Sequence, residues 1–223
     1  MSRGKPAAVV FDLDGTLVDS LPLVLAAITH ATEPYGGRPT MDIFAHLGGP
    51  PERFMAGLVK NPADVPEAVR RMVDFHEGNE HLIQPFAGAI DLLARLREAG
   101  VRTGVWTGRD RRSTERVMRR HALEGVFGAV VCCDDLATHK PDPAGLIEIL
   151  RRLGAGPSET IFVGDADVDI LGGAAAGVDT LLIRHARAIA PGVMAQSWRA
   201  VEKPADAYNV ITALCAGITQ GRS

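Results

Sequence analysis

The chain has 223 residues, 46% of them hydrophobic, and a net charge of −3. That length accommodates an α/β domain carrying an insert, with a sizeable buried core, and the lack of a basic surplus argues against nucleic acid or an anionic membrane as partner. Cys132, Cys133 and Cys215, two of them adjacent, do not suggest a disulfide framework. The N-terminal apolar run is too short for a secretory signal, and nothing approaches the roughly 18 apolar residues of a membrane span. These features predict a cytoplasmic protein, monomer or homodimer.

In chain order, residues 7–11 read as a short buried strand that stops at Asp12-Leu13-Asp14-Gly15-Thr16. Residues two apart in a strand share a side, so Asp12 and Asp14 project together and Leu13 points into packing. Two neighbouring carboxylates repel and call for a proton or a cation, and Gly15 permits a sharp turn. Residues 17–82 show no convincing strand. They read as helices at 21–32, 42–46, 52–59 and 63–79, separated by Pro- and Gly-rich turns. This predicts a helical cap domain, 17–82, inserted into a core of residues 1–16 and 83–223, where it would stand over the strand ends as a lid.

From residue 87 onward, strands and helices alternate. Strands are expected at 101–106, 129–133, 160–163 and 180–183. Helices are expected at 87–99, 111–121, 143–153, 168–176 and 205–216, with Asp142 as N-cap and Pro143 at the first helical position of the third. Such alternation implies right-handed crossovers and a Rossmann-like parallel sheet covered on both faces. Ligands of these sheets bind beyond the carboxyl ends of the strands.

The residues just after each strand are therefore the test of function. Asp12 and Asp14 come after the first, Thr107 and Gly108 after the second, Lys140 after the third, and Asp165 and Asp169 after the fourth. Four carboxylates, a hydroxyl and an amine on one sheet edge make sense as a dication held by carboxylates and a phosphate held by Thr, Lys and backbone N–H groups. An oxygen-rich site that takes a substrate phosphate suits Mg²⁺. A calcium loop beginning at Asp165 is excluded, because Ile170 and Ala176 stand where Gly and Glu are needed. No P-loop and no strand-linked G-x-G-x-x-G is present. His76 and His81 fit no metal-ligand spacing and are expected to be structural, and His139 is expected in a loop near the site entrance.

The run Val10-Phe11-Asp12-Leu13-Asp14-Gly15-Thr16-Leu17-Val18-Asp19-Ser20, with Thr107, Lys140-Pro141 and Val163-Gly164-Asp165 followed by Asp169, resembles the haloacid dehalogenase-like hydrolases, specifically their phosphoglycolate-phosphatase-like branch with a helical cap. The resemblance implies that Asp12 is a nucleophile forming an aspartyl-phosphate, and that Asp14 is general acid and then general base. It further implies Mg²⁺ held by Asp12, the backbone carbonyl of Asp14 and Asp165, with Asp169 in support, and phosphoryl oxygens held by Thr107, the Gly108 N–H and Lys140. The second motif departs from the common pattern, with Gly108-Arg109 where Asn often follows the hydroxyl residue. Arg109 and Arg53 are candidate substrate contacts. The expected substrate is a small phosphate ester: phosphoglycolate, a sugar phosphate or a nucleotide. A β-phosphoglucomutase-type activity is the alternative among enzymes, weakened by Gly48-Gly49-Pro50-Pro51-Glu52-Arg53-Phe54 where those relatives carry Ser-Arg-x-x-Ser-Leu. A non-catalytic phosphate-binding regulatory module is the alternative of another class. Selectivity is expected to reside around residues 46–53.

Overall fold

The computed structural model describes residues 4–40, 43 and 51–217. The helix expected at 42–46, Ile43 apart, and the segment Gly48-Gly49-Pro50 lie outside the described residues. The chain divides into two compact units, one of Met1–Asp19 with Pro85–Ser223 and one of Ser20–Gln84.

The larger unit is built on Ala8–Phe11 (β1), four consecutive apolar residues, all buried. An uninterrupted apolar run, as opposed to an alternating one, is what a strand covered on both faces needs. Short ladders at Val18–Asp19 (β2) and Gln84–Pro85 (β3) pair with each other, apart from the main sheet. The main sheet takes Arg102–Trp106 (β4), Ala129–Val131 (β5), Thr160–Gly164 (β6), Asp179–Ile183 (β7) and Arg199–Val201 (β8). Its order is β5-β4-β1-β6-β7-β8, and every pairing is parallel. The chain builds outward from β1 through β4 and β5, then crosses back to β6 on its other side. This makes the carboxyl end of β1 the topological switch point, where a crevice opens.

The helices of this unit are Ala89–Glu98, Arg111–Arg120, Ala144–Leu153, Asp167–Ala175, Pro191–Met194 and Pro204–Cys215. Local chemistry explains their starts. Asp110 accepts the Ser113 N–H at 2.9 Å as N-cap of the second. Asp142 Oδ1 accepts the Ala144 N–H at 3.0 Å, so the third begins one residue later than expected. One face of the sheet forms a core of Ala8, Val10, Trp106, Val131 and Phe162 against Leu146, Ile149 and Leu150.

The smaller unit is helical in its described residues, with helices Leu21–Thr32 (α1), Pro51–Met55 (α2) and Val65–Asn79 (α3). On α3, Val65, Ala68, Val69 and Met72 recur at helical spacing and pack with Ala31, Met55 and Val59. The His30 and Phe75 rings stack at 4.7 Å, and Arg71 Nη2 donates to the His30 carbonyl at 3.1 Å. α2 is shorter than the expected 52–59, breaking into a turn before Gly57. Later helices take labels in chain order, α4 (Ala89–Glu98) to α9 (Pro204–Cys215). Among the described residues no helix is long and apolar enough to cross a membrane.

Candidate active site

Asp12 follows β1 directly, and its N–H donates to the Val163 carbonyl at 2.8 Å, so the sheet ladder runs up to the carboxylate itself. Leu13 is fully buried, as the alternation requires. The turn after it needs glycine twice over. Gly15 has φ +77°, and a Cβ there would lie 2.4 Å from Asp165 Oδ2. The turn is closed by the Leu13 carbonyl accepting from Leu17 and Val18, and Tyr208 of α9 donates to the Thr16 carbonyl at 2.6 Å.

Three carboxylates converge. Asp12, Asp165 and Asp169 are all buried, with one potential ligand oxygen of each within 4.8 Å of the others. Asp169, in the first turn of α7 (Asp167–Ala175), divides its oxygens. Oδ2 accepts the N–H groups of Asp165 and Ala166 at 3.0 and 2.9 Å, capping the helix, and Oδ1 faces Lys140. A Cβ on Gly164 would meet this side chain at 2.5 Å, so the close approach depends on glycine.

Lys140 Nζ donates to Asp12 Oδ1 at 2.6 Å and to Asp169 Oδ1 at 2.7 Å. Buried between these charges, its pKa is raised despite the desolvation that works the other way. Burial pushes the Asp12 carboxyl well above the usual carboxylate range, with Lys140 opposing and the neighbouring aspartates adding to the rise. Burial likewise pushes Asp165 up to about 7, against the pull of Arg187.

Asp14 sits in a different environment. It is partly exposed, and Arg109 grips both its oxygens, Nε to Oδ2 at 2.7 Å and Nη2 to Oδ1 at 2.8 Å. The guanidinium is anchored in turn by donating from Nη1 to Ser113 Oγ at 2.7 Å. Arg109 is therefore neither a solvated helix-face arginine nor free for a ligand in this structure: its side chain is 9% exposed and committed to Asp14.

Thr107 follows β4, is buried, and its Oγ1 accepts the Arg109 N–H at 3.1 Å. Gly108 is exposed, and a Cβ added there would have nothing within 4 Å, so neither backbone angle nor crowding requires glycine. Arg53 lies on α2 of the helical unit and is exposed. His139 is exposed in the loop before Lys140, and His76 lies 3.9 Å from Glu80, four residues on.

Two further residues belong to the site and were missed in the sequence. Arg187 donates to both the carbonyl and the carboxylate of Asp165. His185 lies 2.6 Å from the Gly15 carbonyl, which can only accept, so Nε2 carries the proton; its ring stacks on Phe86 at 5.8 Å, and burial lowers its pKa. Both come after β7, and the strand-end rule applied to Ile183 would have pointed to Arg184-His185-Ala186-Arg187.

The residues fit a divalent cation. Among the described residues, three buried carboxylates share the two cations Lys140 and Arg187, burial and neighbouring charge raise the pKa of Asp12 and Asp165, and the donors are hard oxygens of the kind Mg²⁺ prefers.

Residues 9–183 match the model of the haloacid dehalogenase-like hydrolase family. A pyrophosphatase of Halalkalibacterium halodurans is 32% identical, over 80% of this chain and 83% of that protein. An N-acetylmuramic acid 6-phosphate phosphatase of Pseudomonas aeruginosa is 33% identical, over 83% of this chain and 84% of that protein. The solved structure of a hydrolase of this superfamily from Geobacter sulfurreducens superposes with a TM-score of 0.71 at 28% identity, over 95% of this chain and 100% of that one. The chain belongs to the haloacid dehalogenase-like hydrolases, on their phosphoglycolate-phosphatase-like branch with a helical cap.

Proposed function

We propose that this hydrolase is a Mg²⁺-dependent phosphatase that opens a small phosphate ester or anhydride through an aspartyl-phosphate on Asp12. The observation that carries this reading is the division of the first motif. Asp12 is buried against Lys140, while Asp14, two residues on, is partly exposed and held by Arg109. Two carboxylates placed in different electrostatic environments are suited to different work.

Asp12 attacks phosphorus as the bond to the leaving oxygen breaks, and Asp14 delivers the proton that the departing oxygen needs. Water then attacks the phosphoryl group, Asp14 takes its proton, and Asp12 is regenerated as orthophosphate leaves. Lys140 and Thr107 hold the phosphoryl oxygens, with the Gly108 N–H alongside. Mg²⁺ would be held by Asp12, the Asp14 carbonyl and Asp165, with Asp169 in support, and would offset the like charge of nucleophile and phosphate. Arg53 and its neighbours in the helical unit contribute to substrate choice.

The relatives' names point to pyrophosphate and a sugar 6-phosphate, which differ mainly in the leaving group. The test is phosphate release from inorganic pyrophosphate, N-acetylmuramic acid 6-phosphate, 2-phosphoglycolate and nucleoside monophosphates, with Mg²⁺ and with EDTA. Release that needs Mg²⁺ and falls to background in Asp12→Asn is expected. Turnover by Asp12→Asn or in EDTA would refute the reading, and conversion of a sugar phosphate to its isomer without release would replace it with a mutase.

A further inference from the structure

Lys140 rests on an aromatic floor. Its Nζ lies 5.0 Å from the centroid of the Trp106 ring and 5.3 Å from that of Phe162. The two rings are themselves 5.4 Å apart and tilted by 41°. Trp106 is the last residue of β4, immediately before Thr107, and Phe162 is in the middle of β6, so β1, lying between these strands, presents Asp12 beside the same ammonium.

The fold makes room for the indole at two places. A Cβ on Gly145, in the first turn of α6 (Ala144–Leu153), would lie 2.2 Å from Trp106 Nε1. A Cβ on Gly172, inside α7, would lie 2.6 Å from Trp106 Cη2. Neither glycine has a positive φ, so the backbone does not demand it. Glycine inside a helix costs about 0.5–1 kcal/mol relative to alanine. Two helices accept that cost where they meet this one ring.

We propose that Trp106 is a positioning residue for Lys140. An ammonium has three N–H groups. Two are taken by Asp12 and Asp169. The indole face, with Phe162 beside it, attracts the cation, keeps water from it and fixes the lysine stem. The third N–H is then left for an anion, which on the phosphatase reading is the transferring phosphoryl group. A lysine without the floor could still reach both aspartates but would sample other geometries.

Two measurements on the full chain test this. The first compares Trp106→Leu with Trp106→Phe for inorganic phosphate affinity, kcat/KM and Mg²⁺ affinity. Removing a desolvated cation–π contact should weaken phosphate binding and kcat/KM together by about tenfold to thirtyfold in the leucine variant. Phenylalanine should restore most of both, and Mg²⁺ affinity should change by less than about threefold, because its carboxylates are untouched. Phosphate affinity unchanged in Trp106→Leu, or Phe no better than Leu, would overturn the proposal. The second measurement does not depend on turnover or on the leucine variant folding. The chain has two tryptophans, so in Trp198→Phe the emission comes from Trp106 alone. Lys140→Met, which keeps the stem and removes the charge, should shift that emission, and no shift would overturn the contact. If the phosphatase reading itself fails, the unsubstituted chain neither releases nor binds phosphate, yet the emission shift persists.

Discussion

Replacing Asp165 by Asn removes one of the three carboxylates of the buried cluster while keeping its shape, and the stability difference between the two proteins should depend on pH in a defined direction. Burial raises this carboxyl from the ordinary 3.8 to about 7, even with Arg187 beside it. A carboxyl with a raised folded pKa holds its proton more tightly in the fold than in the unfolded chain. Its contribution to stability is therefore complete below the unfolded pKa and is lost as pH rises through the folded one. At about 1.36 kcal/mol for each pH step of one between those two values, the total loss is on the order of 4 kcal/mol between about pH 4 and pH 8. The asparagine protein lacks this component, and with Asp165's charge gone Asp12 is also relieved, since Asp165 contributes to the rise of its pKa. The wild-type chain should thus lose ground to Asp165→Asn steadily across that interval in EDTA. Urea unfolding at a series of pH values, read as the difference in free energy between the two proteins, measures it. Mg²⁺ at about a hundred times its dissociation constant should return roughly 2.7 kcal/mol to the wild type at the alkaline end and little to the variant. A difference that is flat with pH in EDTA, or that slopes the other way, would refute the claim that Asp165 is electrostatically strained in the metal-free fold.

Lys140→Ala leaves Asp12 and Asp169 buried without their shared cation. In EDTA near neutral pH it should be less stable by about 3–5 kcal/mol, and with Mg²⁺ its initial rate of phosphate release should fall by about 10²-fold or more; a near-normal rate removes Lys140 from the phosphate clamp. Gly173→Ala tests the packing of α7, because its Cβ would lie 2.0 Å from Thr180 Oγ1 and 3.2 Å from the Val178 carbonyl. It should cost about 1–3 kcal/mol, seen as a melting temperature lower by roughly 2–12 °C, whereas Gly192→Ala, with nothing within 4 Å, should be nearly silent.

The elements that were legible in the sequence are those whose local and tertiary requirements agree. Ala8–Phe11 is apolar throughout because both its faces are covered, and Arg111–Arg120 starts where Asp110 can cap it. The edge strand β8 was missed for the complementary reason. Arg199-Ala200-Val201 pairs on one side only and is mostly exposed, so it carries no apolar signature. Pro191–Met194 is a single turn, too short for a periodicity to register. In the site, residue types at strand ends pointed to Asp12, Thr107, Lys140 and Asp165 because a parallel sheet brings carboxyl ends to one edge whatever lies between them. The same rule could not say which cation meets which carboxylate, since pairing depends on side-chain reach across the sheet edge between residues 22 to 128 apart in the chain.

That pairing sets the charge balance of the site. Lys140 comes from the loop after β5, Arg109 from the end of β4 and Arg187 from the end of β7. The strands β4, β5 and β7 thus each return a cation to a carboxylate, and these cations partly neutralise the acidic cluster. The delivery of Arg187 requires unusual backbone: His185 and Ala186 are consecutive left-handed residues, with φ of 49° and 60°, neither of them glycine. Such residues persist only where surrounding contacts over-determine them, and here His185 is held at the Gly15 carbonyl and against Phe86. A dication held by Asp165 would share that carboxylate with Arg187, which donates to it. Because Arg187 also binds the Asp165 backbone carbonyl, loss of its contact to the carboxylate would not release it from the site, and its positive charge would remain there for an anionic substrate.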